Sequence, residues 1–145
     1  MRAAIVHGAI DVAALLAEVA SASHGATVLF IGTVRDVNDE RAVTGIDYTA
    51  YVPMAEREMQ RILREAAERF DTDAAVVEHR TGHLELGDAS VAIAVAHARR
   101  AQAYAASRYI LEALKQRVPI WKREAYADGT REWVAQQGAM TAHQD

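Results

Sequence analysis

The stretch ATVLFIGTVRDVNDERAVTGIDYTAY, residues 26–51, decides the class of fold. Its first part, residues 26–34, is apolar and β-branched and predicts a buried strand. Residues 36–41 are polar and predict a loop, and residues 43–51 alternate well enough to predict a second strand. No helical pattern lies between the two strands, whereas a doubly wound sheet alternates strands with helices. The stretch therefore predicts an α+β protein with a mixed or antiparallel sheet.

The same reading of apolar periodicity, extended along the chain, predicts three helices and five further strands. The first predicted helix begins after the N-cap Asp11, and the second follows Pro53, which suits a first helical turn. The third spans about residues 100–117. The further strands are residues 2–6, 74–80, 90–98, 120–126 and 133–136. The resulting order, β-α-β-β-α-β-β-α-β-β, predicts a sheet packed with three helices.

Length and cysteine content set the next limits. A chain of 145 residues suits one domain, which we predict over residues 1–137, with residues 138–145 as a loose C-terminal tail. The chain contains no cysteine, which excludes disulfides, thiolate zinc sites, iron–sulfur clusters and a cysteine nucleophile. If sulfur chemistry takes place on this protein, another molecule must supply the sulfur.

Charge and hydropathy exclude several further classes of function. The formal net charge is -4, whereas general nucleic-acid binding usually requires a basic domain. No apolar run reaches about 18 residues, so we expect no membrane-spanning helix. The first residues lack a signal-peptide pattern, so we expect a cytoplasmic protein. His79 and His83 have no third ligand that the sequence identifies, so we expect no metal site.

The most unusual segment is residues 99–123, in which seven cationic side chains accompany one acid, Glu112. One interpretation is a solvated helix face whose basic end complements the helix dipole. The other is an anion-binding pocket, in which arginine offers paired donors and lysine offers a compact charge that can exchange a proton. The chain's two lysines, Lys115 and Lys122, both fall here. Arg35, at a strand end, lies either on the surface or in a cleft.

Several blocks of the sequence together resemble one known family. The run LKQRVPIWKREAYADG, residues 114–129, followed by Trp133, is similar to the catalytic large subunit family of molybdopterin synthase. FIGTVR at residues 30–35 and HRTGHLELGD at residues 79–88 agree in the same order. The resemblance covers about residues 25–134, which is most of the chain.

The resemblance implies a fold, a reaction and partners. The fold is an α/β hammerhead with an added antiparallel sheet. The reaction converts cyclic pyranopterin monophosphate into molybdopterin by installing the two sulfurs of a dithiolene. The sulfur arrives as the C-terminal thiocarboxylate of a small ubiquitin-like partner, so no other cofactor is implied. The large subunit forms a homodimer, and a partner at each end completes a heterotetramer.

The resemblance also implies site residues by matching position. Lys115 and Lys122 correspond to two functional lysines, with Lys115 nearest the thiocarboxylate carbon and Lys122 holding substrate and assisting proton transfer. The implied substrate-binding residues are Thr33, Val34, Arg35, Arg99, Arg100, Arg123 and Glu124. Such a set of cations would hold two anionic reactants together and offset their repulsion.

Two other functions stay open at this point. One is a non-catalytic dimeric relative that binds a ubiquitin-like tail or a small anion, and Arg99 favours it because the family often has histidine there. The retained lysines and the VPIWKRE segment favour the enzyme. The other is a nucleic-acid-binding module, against which the acidic net charge argues.

Overall fold

The computed structural model describes residues 1–135, so the predicted tail and its boundary lie outside the described residues. The elements are β1 (Arg2–Val6), α1 (Val12–Val19), β2 (Ala26–Thr33), β3 (Val37–Asn38), β4 (Arg41–Ala50), α2 (Val52–Phe70), β5 (Ala74–Arg80), β6 (Gly82–Glu85), β7 (Ala89–His97), α3 (Arg100–Arg117), β8 (Ile120–Tyr126) and β9 (Arg131–Ala135). Asp11 caps α1 as predicted, because its side chain accepts a hydrogen bond from the Ala14 backbone N–H.

The strands form two sheets. The first sheet has the order β1-β5-β7-β2, in which β1 pairs with β5 in parallel and the other pairs are antiparallel. The second sheet has the order β3-β4-β8-β9, with β6 also paired to β4, and all its pairs are antiparallel. Three helices with a mixed and an antiparallel sheet confirm the predicted α+β class.

Two short strands were missed by the sequence prediction. Residues 36–41, predicted as a loop, contain β3, which turns back onto β4 through Asp39 and Glu40. Both turn residues have positive φ, 49° and 65°, as a two-residue hairpin turn requires. The turn lacks the glycine or asparagine that signals this geometry in a sequence. The strand β6 likewise lies in a stretch whose glycines predicted only turns.

The central strands of the first sheet, β5 and β7, are buried on both faces because helices cover each side. Alternate residues of β7 enter two separate apolar clusters. Ile93 and Val95 pack with α2 and α3, whereas Ala92, Ala94 and Ala96 pack with α1. Alanine on the α1 side allows that short helix to approach closely, and larger residues fill the space under α2 and α3. The continuous apolar run at residues 90–98 follows from this two-sided packing.

Gly25 leads into β2 at a point where the backbone of Ala98 is close. A Cβ atom at position 25 would lie 2.8 Å from the Ala98 carbonyl oxygen, whereas a Cβ at Gly8 would meet nothing within 4 Å. We expect Gly25→Ala to lower the free energy of unfolding by about 1–3 kcal/mol and Gly8→Ala to leave it unchanged or slightly raised. Urea denaturation measures both, and equal midpoints for the two variants would contradict this account.

Candidate active site

A cavity of about 610 Å³ opens where the end of β2, the last turns of α3 and the second sheet meet. Its lining combines three cations, three hydroxyl groups and three other polar side chains with an apolar wall. These polar residues are Arg35, Lys115, Lys122, Thr33, Tyr48, Ser90, Asn38, Asp39 and His79. The cavity therefore contains the two lysines and Arg35, which the sequence singled out separately.

The two lysines reach this cavity from different elements. Lys115 lies in the last turn of α3 and is exposed. The helix ends at Arg117, Val118 is extended, and the chain continues after Pro119 into β8, which pairs with β4. Lys122 follows on β8, opposite Tyr48 of β4, with its side chain 24% exposed. The proline-terminated helix thus brings both amines to one cavity.

Glu124 lies behind the cavity wall rather than in it. Strand alternation puts its side chain on the same face of β8 as Lys122, and its Oε1 lies 3.4 Å from the lysine Nζ. The same oxygen accepts a hydrogen bond of 2.6 Å from Asn38 Nδ2 on β3. Within residues 1–135, the buried Oε2 has no hydrogen-bond partner. Glu124 therefore contacts Lys122 and the β3 hairpin, and the cavity lining does not include it.

Residues 33–35 differ in their placement relative to the cavity. Thr33 and Arg35 line the cavity. Val34 does not: its side chain is buried, its backbone N–H donates to Asp88 O at 3.0 Å, and its carbonyl accepts from Gly87 N–H at 2.9 Å. The prediction that Val34 contacts substrate is not supported by this placement, because alternation turns its side chain into the core.

Arg123 also lies away from the cavity. It is on the opposite face of β8 from Lys122, where its guanidinium donates to Asp47 Oδ2 at 3.1 Å and stands over the Trp133 ring, 5.6 Å from the centroid. The expectation that Arg123 extends the pocket wall is therefore not supported within one chain. The reason is the two-residue period of a strand, which separates neighbouring side chains.

Arg99 and Arg100 line a second cavity, of about 530 Å³, at the start of α3. Fifteen residues of helix separate Arg100 from Lys115, a distance of about 22 Å along the axis. One chain consequently does not bring these arginines and the lysines together.

The remaining cations of residues 99–123 have acidic partners. Arg108 pairs with Glu112 at 3.0 Å, and Arg117 joins Glu58 at 2.7 Å and Glu65 at 2.6 Å on α2. The contact with Glu65 also holds the pKa of that carboxyl low, at about 2. The local charge excess in the sequence is thus partly neutralised by acids from other elements, and the cavity retains only part of it.

Five further polar lining residues were not predicted from the sequence: Asn38, Asp39, Tyr48, Ser90 and His79. His79 is 3% exposed, and burial lowers its pKa to about 4. Burial likewise raises the pKa of Tyr48. The one available signal for His79 was its position in the block at residues 79–88 that carries the family resemblance.

The buried imidazole of His79 predicts a pH-dependent stability. An unfolded histidine titrates near 6.5 and this one near 4 in the folded protein, so the unfolded state binds more protons between these values. The free energy of unfolding should therefore decrease as the pH falls, by about 2 kcal/mol between pH 7 and pH 5. Urea titrations at both pH values measure this change.

His79→Gln is the control for that pH dependence, since glutamine does not titrate. The variant should lose most of the change between pH 7 and pH 5. The difference between the two proteins isolates the contribution of His79. An unchanged slope in the variant would contradict the assignment.

Two further features, a metal-binding group and a membrane-spanning helix, are absent from the part of the chain that the structure describes. Residues 1–135 contain no group of three or more His, Asp or Glu side chains arranged to hold a metal ion. No helix within the same residues is long and apolar enough to cross a bilayer.

Comparison with known proteins gives consistent matches. The chain is 40% identical over 118 residues to a molybdopterin synthase catalytic subunit from Emericella nidulans, covering 81% of this chain and 60% of that relative's length. It is 42% identical over 120 residues to molybdopterin synthase catalytic subunit 1 of Mycobacterium tuberculosis, covering 83% of this chain and 81% of that one. The fungal relative therefore has substantial sequence outside the shared region.

Solved structures agree with the sequence matches. The crystal structure of molybdopterin synthase from Staphylococcus aureus superposes with a TM-score of 0.86 at 34% identity, covering 90% of this chain and 95% of that one. The family model described as MoaE protein matches residues 5–117. The resemblance inferred from the sequence blocks is confirmed, and the chain belongs to the MoaE protein family.

Proposed function

We propose that this protein is the catalytic subunit of a molybdopterin synthase. In this role it transfers sulfur from the C-terminal thiocarboxylate of a small ubiquitin-like partner to cyclic pyranopterin monophosphate, forming the dithiolene of molybdopterin in the cytoplasm. The observation that carries the proposal is the single cavity lined by Lys115, Lys122 and Arg35. Family membership and the relatives' descriptions support it.

The charges of the cavity suit the two reactants. Cyclic pyranopterin monophosphate carries a phosphate, and the partner's tail carries a thiocarboxylate, so both are anions. Three cations around one cavity reduce the repulsion between them and hold them at reaction distance. No cysteine is available to carry sulfur, which agrees with a sulfur donor that enters from a partner. The proposal includes no other cofactor.

The lysines would act at the acyl carbon of the partner's tail. Each transfer forms a bond from the thiocarboxylate sulfur to a substrate carbon while a carbon–oxygen bond at that carbon breaks and the oxygen leaves with the electron pair. Water then attacks the acyl carbon, the acyl carbon–sulfur bond breaks, and the tail leaves as a carboxylate while the sulfur stays on the substrate. The intermediate at the acyl carbon is tetrahedral and carries negative charge on oxygen. Lys115 can stabilise this charge and supply a proton, while Lys122 holds the substrate.

The proposal includes a homodimer with one small partner at each end. Within one chain Arg100 lines a different cavity from Lys115, so a shared active site requires a second copy to bring the arginine to the lysines. We expect Arg100→Ala to raise the KM for the pterin more than it lowers kcat. Mixing Arg100→Ala with Lys115→Ala protein tests sharing, because mixed dimers would regain activity at one site of two.

The decisive experiment combines the protein with a thiocarboxylated ubiquitin-like partner and cyclic pyranopterin monophosphate. Formation of a dithiolene-bearing pterin, at two partners consumed per product, supports the synthase. Binding of the partner without any product would instead support the non-catalytic relative, which the arginine at position 99 favours. Failure to bind either reactant would overturn both.

A further inference from the structure

His79 is a buried histidine that the reaction described above does not use. It lies on β5, is 3% exposed, and still lines the cavity that contains the two lysines. Its ring meets the ring of Tyr48 edge to face, with centroids 5.0 Å apart. Tyr48 is in turn the cross-strand neighbour of Lys122. The imidazole is therefore held on the cavity wall by packing.

One hydrogen bond to the backbone fixes the tautomer of His79. Nδ1 lies 2.9 Å from the carbonyl oxygen of Arg80, and a carbonyl only accepts, so Nδ1 carries the proton and Nε2 carries a lone pair. Burial keeps the pKa near 4, so the ring remains neutral at physiological pH. Nε2 is consequently a fixed hydrogen-bond acceptor.

Nε2 of His79 has no hydrogen-bond donor among residues 1–135. Four side-chain polar atoms in residues 1–135 are fully buried without a partner, and they belong to Arg80, Gln102, Arg123 and Glu124. Nε2 of His79 is not among them. The one hydrogen bond that the His79 ring makes within these residues uses the other nitrogen, Nδ1. An acceptor on a residue that lines the cavity, with no donor among residues 1–135, is available to a ligand there.

The other polar groups of the cavity are cations, one carboxylate, and hydroxyl or amide groups that can either donate or accept. Lys115, Lys122 and Arg35 are donors only. The Ser90 hydroxyl already donates to the Gly32 carbonyl at 3.2 Å, and Asp39 is a charged, exposed group at the β3 turn. The cavity thus combines cations for an anionic group with a buried, neutral imidazole nitrogen that can only accept, whereas its hydroxyl and amide groups can either donate or accept. A ligand that satisfies both carries an anion and, on a ring, an N–H donor.

We infer that His79 orients the substrate by accepting, at Nε2, a hydrogen bond from an N–H group of the substrate heterocycle. This inference rests on the proposed function and assigns a recognition element to the same site. The bond leaves the anionic part of the substrate free to contact the lysines. A site that holds an acceptor of this kind discriminates strongly against analogues without the donor.

Two amide variants separate this role from a structural one. In His79→Asn the side-chain amide can still donate to Arg80 O, but no acceptor occupies the position of Nε2. In His79→Gln the amide reaches the position of Nε2 and offers its oxygen there, while the bond to Arg80 is lost. An orienting role predicts that Asn weakens substrate binding about tenfold and that Gln retains most of it. A structural role predicts the reverse order.

The measurement is the KM and kcat for cyclic pyranopterin monophosphate in the assembled complex, together with calorimetric binding in the presence of unsulfurated partner. Wild-type turnover tests the proposed function separately. Turnover by the wild type with equal KM values for wild type and His79→Asn would overturn the inference alone. If the wild type neither binds nor turns over the pterin, the inference falls with the proposed function.

A spectroscopic measurement on the wild-type protein does not depend on the folding of variants. With ¹⁵N-histidine labelling, the Nε2 resonance of His79 should shift on addition of the pterin in the direction of an accepted hydrogen bond, and the Nδ1 resonance should stay in place. An Nε2 resonance that does not move at saturating pterin would overturn the inference.

Discussion

The Lys115→Ala variant is expected to form dithiolene product about 10²–10⁴-fold more slowly than the wild type, which is the usual range for loss of a general acid or base. Lys115 lies at the end of α3 beside the cavity, and its ammonium is the charge we assign to the tetrahedral intermediate. Single-turnover assays with thiocarboxylated partner measure the rate of sulfur transfer directly.

Gln116→Ala is the matched control for Lys115→Ala. Gln116 lies in the same helical turn and is exposed, but it does not line the cavity. Both variants should unfold at the wild-type urea concentration, since neither side chain is buried. Near-wild-type turnover by Lys115→Ala would show that Lys115 takes no part in the reaction. An equal loss of turnover in Gln116→Ala would indicate a general disturbance of the helix end.

Glu124→Gln is expected to lower kcat about tenfold or more while leaving the free energy of unfolding unchanged or higher by about 1 kcal/mol. The carboxylate orients Lys122 at 3.4 Å and is buried, with one oxygen lacking a donor within residues 1–135. A buried charge in such surroundings is costly. The neutral amide removes the charge and keeps the acceptor for Asn38, but it no longer attracts the lysine.

Kinetics and urea denaturation on the same preparation test this pair of expectations. Glu112→Gln, at an exposed position of α3, serves as the control for loss of one negative charge. Unchanged kcat in Glu124→Gln would show that Lys122 needs no partner to act. A loss of several kcal/mol in stability would show that the carboxylate stabilises the fold, contrary to its assignment as a positioning group.

Much of the fold is readable from the sequence because local patterns determine it. Strands such as residues 90–98 have continuous apolar runs, and helix ends carry Asp11 or Pro119. The strands β3 and β6 were missed because each depends on a partner, β4, whose position no local pattern reveals. The turn at Asp39 and Glu40 has the geometry of a hairpin without its usual residues.

The site was predictable in part for a similar reason. Composition drew attention to Lys115 and Lys122, and the family resemblance implied their roles. The pairing of Arg117 with Glu58 and Glu65 joins positions more than fifty residues apart, so charge counting in one segment could not detect it. His79 was considered only as a metal ligand, because its place in the cavity wall depends on the packing of β5 against other elements, which no local pattern reveals.

The sheet pairing also has a consequence for synthesis on the ribosome. Within residues 1–135, β1 pairs only with β5 and β2 only with β7. During synthesis, β1 and β2 therefore have no strand partner until β5 and β7, which end at residues 80 and 97, have been translated. The helix between β1 and β2, α1, has eight residues, too few to persist alone in water. Nascent chains that end before residue 97 therefore expose an apolar strand, and we expect chaperones to bind them.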